Sequence, residues 1–316
     1  MNVLLLRRVI QMLLIMLTVA ALLFVIFDSE QFRHKAAVAE LGALGLATLS
    51  EADYQGWLQR KGLNRPAPVR FVRWLKDIAH GDLGQSSEKD VAVSTLLKES
   101  LGHTAVLAFF VFLIMIPLAI ALGVLAGMET GSMLDRLISV VSVITTSTPQ
   151  IATAVVLTVV FALGLRWFPS KSAMTEGFSF RELVLPLLTI LIYDVGYLAR
   201  MTRASMAEVM GSQYIRTALL KGLPYRQVVV RHALRNALVV PVTLICLELN
   251  GILSQVVVVE VFFQYSGFGR MLFDAANYGD IQVLQAATLV AVFVAVMSQL
   301  LSDVAYRFLN PRMRFA

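Results

Sequence analysis

The chain of 316 residues is 58% hydrophobic and only 15% charged, whereas soluble globular chains carry about 45–50% apolar and about 25% charged residues. Its length would suggest about two soluble domains, but there is too little polar surface to cover them, which excludes a soluble enzyme, a disordered chain and a disulfide scaffold. The net charge is +6, and the single cysteine, Cys246, lies inside an apolar run, so no intramolecular disulfide is possible. A polytopic membrane protein remains, and the spans below make it all-α.

A helix that crosses a bilayer needs about 20 mostly apolar residues. Uncharged runs of that order occupy 9–27, 104–128, 137–165 and 281–302, while 183–199 is broken only by Asp194 and 237–259 only by Glu248. Six spans are expected. Pro117, Pro149, Pro186 and Pro241 fall within or beside them, where neighbouring helices can satisfy the freed carbonyls. The first run follows Arg7 and Arg8 and has a signal peptide as its alternative. It is too long for a typical h-region, and Phe27-Asp28-Ser29-Glu30 offers no small-x-small cleavage site, which favours an uncleaved anchor.

Lys and Arg in short loops set the orientation. With the N-terminus inside, thirteen basic residues fall on cytoplasmic segments, seven of them in 200–235, against four on the short external loops (Arg166, Lys171, Arg181 and Arg270). Both termini are therefore expected in the cytoplasm. The organisation reads as a first span in 1–27, an external segment 28–100, and a five-span core 101–316 that carries a cytoplasmic loop at 200–235.

In the external segment, Ser50-Glu51-Ala52-Asp53 reads as a helix start, with an N-cap serine and acids in the first turn. That helix ends near Gly62. Pro66 and Pro68 precede a second amphipathic stretch, 69–79, in which Val69, Val72 and Ile78 alternate with Arg70, Arg73 and Lys76. The segment is either a structural cap on the helix ends or a docking surface for an external partner.

The cytoplasmic loop is more informative. Ile215, Ala218, Leu219 and Gly222 recur at i, i+3, i+4 and i+7, one face of a helix that Ser212 starts and Gly222 with Pro224 stops. So short a helix does not stand alone in water. Its apolar, small-residue face is received either by the bilayer surface or by a protein groove. Thr217, Ala218 and Gly222 favour the groove, because small side chains permit close backbone approach and add little to lipid partitioning.

Tyr214-Ile215-Arg216-Thr217-Ala218 through Lys221-Gly222-Leu223, followed by Arg231-His232-Ala233-Leu234-Arg235-Asn236-Ala237-Leu238, resembles the cytoplasmic "EAA" loop of ABC importer permeases. The version here looks like the oligopeptide/dipeptide/nickel branch. Gly81-Asp82-Leu83-Gly84-Gln85-Ser86, Gly131-Ser132-Met133-Leu134-Asp135-Arg136, Val258-Val259-Glu260-Val261-Phe262, Gly267-Phe268-Gly269-Arg270 and Asn310-Pro311-Arg312 follow the family's order from about Arg7 to the end. The match is to the first of the two permeases in such systems, the one with a long external segment after its first span.

The resemblance implies a bacterial inner-membrane subunit that pairs with a second homologous permease to form the pathway. Two cytoplasmic ATPase subunits receive the loop helices in surface grooves, and an external solute-binding protein delivers the ligand. Carried across, Tyr214, Ile215, Arg216, Thr217, Ala218, Leu219, Lys221 and Gly222 form the coupling helix. Arg216 and Lys221 address acidic groove edges, and Ile215, Ala218 and Leu219 the apolar floor. Departures are Gln213 and Leu219, where the family usually has an acid and a basic residue, and Ser254-Gln255, where glycines are common. Phe27–Phe32 replaces a Pro-Gly-Asp turn, and the stretch that follows, to Leu49, is atypical.

No G-x-x-x-x-G-K-[ST] motif is present, so ATP hydrolysis is expected in separate subunits. Gly267-Phe268-Gly269 lacks the third glycine of a dinucleotide site. His34, His80, His103 and His232 show no ligand spacing, so neither a metal nor another cofactor is expected. Loop asymmetry explains the basic 200–235 segment better than nucleic acid does.

Acids inside a membrane are functional candidates by default. Asp194 (near Arg200 in sequence), Glu248 (with Asn250) and Asp303 are each either functional groups or structural pairs. Glu260 either biases substrate entry or is a capped acid. Thr145, Ser147 and Gln150, flanking Thr146, Thr148 and Pro149, make the third span polar, and with Gln255 and Glu260 they are the candidate pathway residues. Such a break lines a water-filled path or serves as interhelical glue. The substrate class expected first is di- and oligopeptides, with opines, oligosaccharides or chelated nickel behind. An ion-coupled carrier using the buried acids is the rival class. A membrane enzyme or scaffold lacks any clustered nucleophile, base or metal set.

Overall fold

The computed structural model describes residues 2–29, 50–60, 62–175 and 177–309, together with Phe32, His34, Ala37, Val38, Gly42 and Thr48. Most of the atypical stretch that ends at Leu49, and Asn310-Pro311-Arg312, fall outside the described residues, as do the side chains of Asn250 and Asp303. Among the described residues the elements are helical, apart from one isolated antiparallel bridge between Gln85 and Ala92. In chain order they are α1 (Asn2–Phe27), α2 (Glu51–Arg60), α3 (Ala67–Ala79), α4 (Val93–Met128), α5 (Met133–Ser147) and α6 (Gln150–Leu157), which runs on as a π-helical stretch, Thr158–Gly164. After α7 (Phe180–Met210) and α8 (Gln213–Leu220) come α9 (Tyr225–Gln227), a π-helical stretch (Val228–Ala233) and α10 (Leu234–Ala237). The remainder is α11 (Val239–Phe263), α12 (Phe268–Tyr278) and α13 (Ile281–Leu309).

Among the described residues four helical segments are long and apolar enough to cross a membrane: Ile10–Phe27, Val93–Met128, Phe180–Met210 and Ile281–Ser302. Three further pairs qualify only as bent units, which makes up to seven spans if each pair is one. The expected run 137–165 is one of these pairs, α5 and α6 with its π-helical extension meeting at 101°. Pro149 is the cause. The residue before a proline is pushed out of the helical region, and Thr148 is extended at φ −89° and ψ 124°. The hydroxyls of Thr146 and Thr148 donate to the carbonyls of Ser142 and Ile144, each at 2.8 Å, and so occupy carbonyls at the broken end.

Two compact units divide the chain: Met1–His103 with Gly267–Val296, and Thr104–Ser266 with Met297–Ala316. In the first, Ala20 and Leu23 of α1 bury against Leu289, with Trp74, Leu75 and Ile78 of α3 packed alongside, while Leu13, Leu14, Leu22 and Val25 point outward. An apolar surface of that extent marks contact with membrane or with another protein rather than with water. Ser50 caps α2 by accepting from the Asp53 amide at 3.2 Å, as the sequence predicts. The Gly81–Ser86 motif folds as a turn anchored at a distance: Ser86 Oγ donates to Asp280 Oδ2 at 2.6 Å, and the Gln85 amide to Gln282 Oε1 at 2.7 Å.

In the second unit α7 is the central helix. Leu183, Ile190, Leu191 and Leu198 bury against Leu107, Val111 and Met115 of α4, Ala154 and Leu157 of α6, and Ile252, Val256 and Phe263 of α11. Proline removes the amide that would bond to the carbonyl four residues back, and two serines replace it. Pro186 frees the Glu182 carbonyl, which accepts from Ser172 Oγ at 2.6 Å. Pro241 frees the Ala237 carbonyl, which accepts from Ser205 Oγ at 2.9 Å. Gly123 and Gly127 of α4 lie against α7 so closely that a Cβ would stand 2.6 Å from the Ala199 carbonyl oxygen and 2.6 Å from Met206 Cβ, respectively. Small residues four apart permit this approach between membrane helices.

Candidate functional site

The 200–235 segment folds as a short helix on a built seat. Ser212 sits at the N-cap of α8, although its hydroxyl turns back to the Val209 carbonyl at 2.5 Å rather than to the new helix. At the other end Gly222 takes φ +77°. Its amide bonds to the Leu219 carbonyl at 3.0 Å and the Leu223 amide to the Ala218 carbonyl at 3.4 Å. That pairing is the Schellman stop, which needs a left-handed residue at this position.

Ile215 is fully buried, in a core with Met206 of α7, Val228 and Val229 of the π-helical stretch, Ala233 and Ala237, and Ala218 packs on its edge. Of the periodic apolar face, Ile215 is turned into the protein's own core and Ala218 is half-buried beside it, while Leu219 and Gly222 remain exposed. What α8 presents outward is Tyr214 (46% exposed), Leu219 (40%) and Leu220 (81%), flanked by exposed Arg216, Thr217 and Lys221. Leu220 escaped the sequence reading because it falls off the i, i+3, i+4 stripe. The available signal was an apolar residue on the polar side of an amphipathic helix.

Further bonds fix this seat. Asn236 Nδ2 donates to Tyr214 Oη at 3.0 Å, and Tyr225 Oη to the carbonyl of Met128, the last residue of α4, at 3.2 Å. Asp135, in the Gly131–Arg136 motif, takes a forked bond from Arg203 of α7 at 2.7 and 2.8 Å, and also accepts the Gly131 amide at 2.8 Å. Forked guanidinium–carboxylate pairs are among the stronger and more directional contacts available. The pair ties the start of α5 to the stretch of α7 that leads into α8.

A family model described as "Binding-protein-dependent transport system inner membrane component" matches residues 119–315, from within α4 through α8 and its seat to the end of the chain. The chain belongs to that family. It is a multi-pass component of the bacterial inner membrane. The probable peptide ABC transporter permease protein y4tP of Sinorhizobium fredii is 30% identical over the whole of both chains. A putative peptide transport system permease protein of Brucella abortus is 34% identical, again over the whole of both. The oligopeptide transport system permease protein AppB of Bacillus subtilis is 31% identical over 84% of this chain and 87% of its own. Among solved structures, an amino acid ABC transporter crystallised with histidines superposes with a TM-score of 0.52 at 14% identity, covering 68% of this chain and 94% of that one, a likeness of fold.

The candidate pathway residues of this inner-membrane component are spread over α5, α6 and α11. Thr145, Ser147 and Gln150 flank the α5–α6 bend, where Thr145 Oγ1 donates to the Ser142 carbonyl at 3.1 Å and Ser147 is exposed. Gln255 donates to Asp194 Oδ1 at 3.1 Å. Asp194 is buried, its second carboxylate oxygen meets no donor among the described residues, and it shares a small cavity with Tyr197 and Glu248. Its partner is thus Gln255 on α11, not Arg200, which is exposed. Glu260 is fully buried and accepts from Thr104 Oγ1 at 2.6 Å, the geometry of a capped acid.

Proposed function

We propose that the chain is a permease subunit of an ATP-driven ABC importer for peptide-like solutes, pairing with a second homologous permease to form the pathway. Two ATPase subunits bind at α8, and an external binding protein delivers the solute. The peptide assignment draws on the names of the relatives. In this topology there are six crossings, both termini and 200–235 lie in the cytoplasm, and 28–100 lies outside. The subunit itself hydrolyses nothing. Opines, oligosaccharides and chelated nickel are the next solute classes.

The observation that carries the reading is the two-sided build of α8. Its inner face is fixed by Ile215, and its outer face offers Tyr214, Leu219 and Leu220 alongside exposed Arg216 and Lys221. Short helices of this kind dock in grooves through a few apolar anchors. Because Ile215 shares one buried core with Met206 of α7 and Ala237 of α10, a push on the outer face reaches α7 and α11 instead of dissipating in a loop. The Asp135–Arg203 pair carries it on to α5.

Uptake of a labelled di- and oligopeptide pool into cells expressing the full transporter tests this reading. The expected result is uptake that stops on ATP depletion, survives collapse of the proton gradient, and is abolished by Gly222→Arg with membrane insertion intact. Uptake that follows the proton gradient would instead favour a carrier working through Asp194 and Glu248.

A further inference from the structure

The unit formed by residues 1–103 and 267–296 contains a cavity of about 380 Å³ between the end of α1, α3 and the first turns of α13. That lies within the usual range for small-molecule sites, about 300–1,000 Å³. Its wall combines aromatic rings, among them Phe24 and Trp74, with three arginines and three aspartates. Arg70 is only 11% exposed and donates through Nη2 to Asp28 Oδ2 at 2.6 Å. Its Nε and Nη1, and the indole N–H of the buried Trp57, meet no acceptor among the described residues. Buried donors in folded proteins nearly always have partners, and an exception calls for an explanation. Arg73 and Asp77, on the same wall, are exposed and close no ion pair among the described residues.

From this juxtaposition we propose that the cavity binds a small zwitterion with an apolar body, its anionic oxygens taken by Arg70, Arg73 and Trp57 and its ammonium by Asp77. A bare anion is disfavoured because the cavity's six charged side chains sum to zero. A cation alone leaves the buried donors unmet. Guanidinium suits two-oxygen acceptors such as carboxylate and phosphate, and aromatic walls suit an apolar side chain or the glycerol end of a lipid. Two sources share this chemistry: a free dipeptide, and the head group of phosphatidylethanolamine.

The test uses the full chain in phosphatidylglycerol nanodiscs. Trp167→Phe removes the one tryptophan of three that does not line the cavity, so that fluorescence reports Trp57 and Trp74. Phenylalanyl-alanine is expected to give a saturable change, weakened at least tenfold by N-acetylation, by C-amidation, and by Arg73→Gln with Asp77→Asn. Both substituted positions are exposed, so the fold is retained, which circular dichroism checks. If the lipid is the resident ligand, native mass spectrometry retains phosphatidylethanolamine over phosphatidylglycerol on the unmodified chain but not on that double variant, and added phosphatidylethanolamine displaces the dipeptide. Neither ligand binding, or binding that is indifferent to the blocked ends and to the double variant, overturns the proposal. No transport partner takes part, so failure here leaves the importer reading standing.

Discussion

Ser172 and Ser205 show how single side chains make prolines tolerable in apolar helices. Removing one partner of a buried hydrogen bond costs about 1–3 kcal/mol, because the other is left unpaired. Ser205→Ala, which orphans the Ala237 carbonyl, is expected to lower resistance to denaturant unfolding by that amount. Pro241→Ala restores a backbone donor, so Ser205→Ala combined with Pro241→Ala is expected to recover most of the loss. Simple additivity of the two changes would contradict the assignment. The prolines were legible in the sequence, but their partners were not: Ser205 stands 32 residues from Ala237, and no periodicity links them. Gly222 was fully legible as a helix stop. Its φ of +77° with open space around a would-be Cβ means that any cost there is conformational, about 1–2 kcal/mol for an ordinary L-residue. Gly222→Ala is thus expected to destabilise by about that much and Gly222→Asn by less, read as the midpoint of the same unfolding curve.

Between elements, the α4–α7 seam is a close helix approach built on two glycines. Gly123→Ala or Gly127→Ala places a methyl where a backbone oxygen or a Met206 carbon already stands, and overpacking of this kind costs about 1–3 kcal/mol. Gly102→Ala, on the same helix with open space around it, is the control expected to change little. The G-x-x-x-G spacing stood in the sequence, inside a run whose apolarity alone was already sufficient to assign a span. The α5–α6 bend was half legible: Pro149 and its polar neighbours signalled a break, but hydropathy does not record direction, and a turn of 101° reads the same as a straight crossing. For α8, periodicity located an apolar face without saying whose core it enters. Ile215 enters its own chain's core, while Leu219 and Leu220 stay on the exposed side.

Across the whole molecule, composition alone gave the membrane class, and the motif order from Arg7 onward led to the family that residues 119–315 match. The least legible part was the first unit, where Arg70, Trp57 and Asp77 come from separate segments and only the fold gathers them around one cavity. The 200–235 segment carries seven basic residues and one acid, a surplus equal to the chain's entire net charge of +6, and the exposed face of α8 lies within it. The central claim is that this face is where ATP-driven motion enters the subunit. A photo-crosslinking amino acid at position 220, with position 215 as the buried control, measures it most directly in cells that express the whole transporter. The expected result is an adduct from position 220, absent from position 215, whose partner is identified by mass spectrometry as a protein carrying a G-x-x-x-x-G-K-[ST] nucleotide-binding loop. Adducts from position 220 with lipid alone, or equal capture of that protein from both positions, would contradict it.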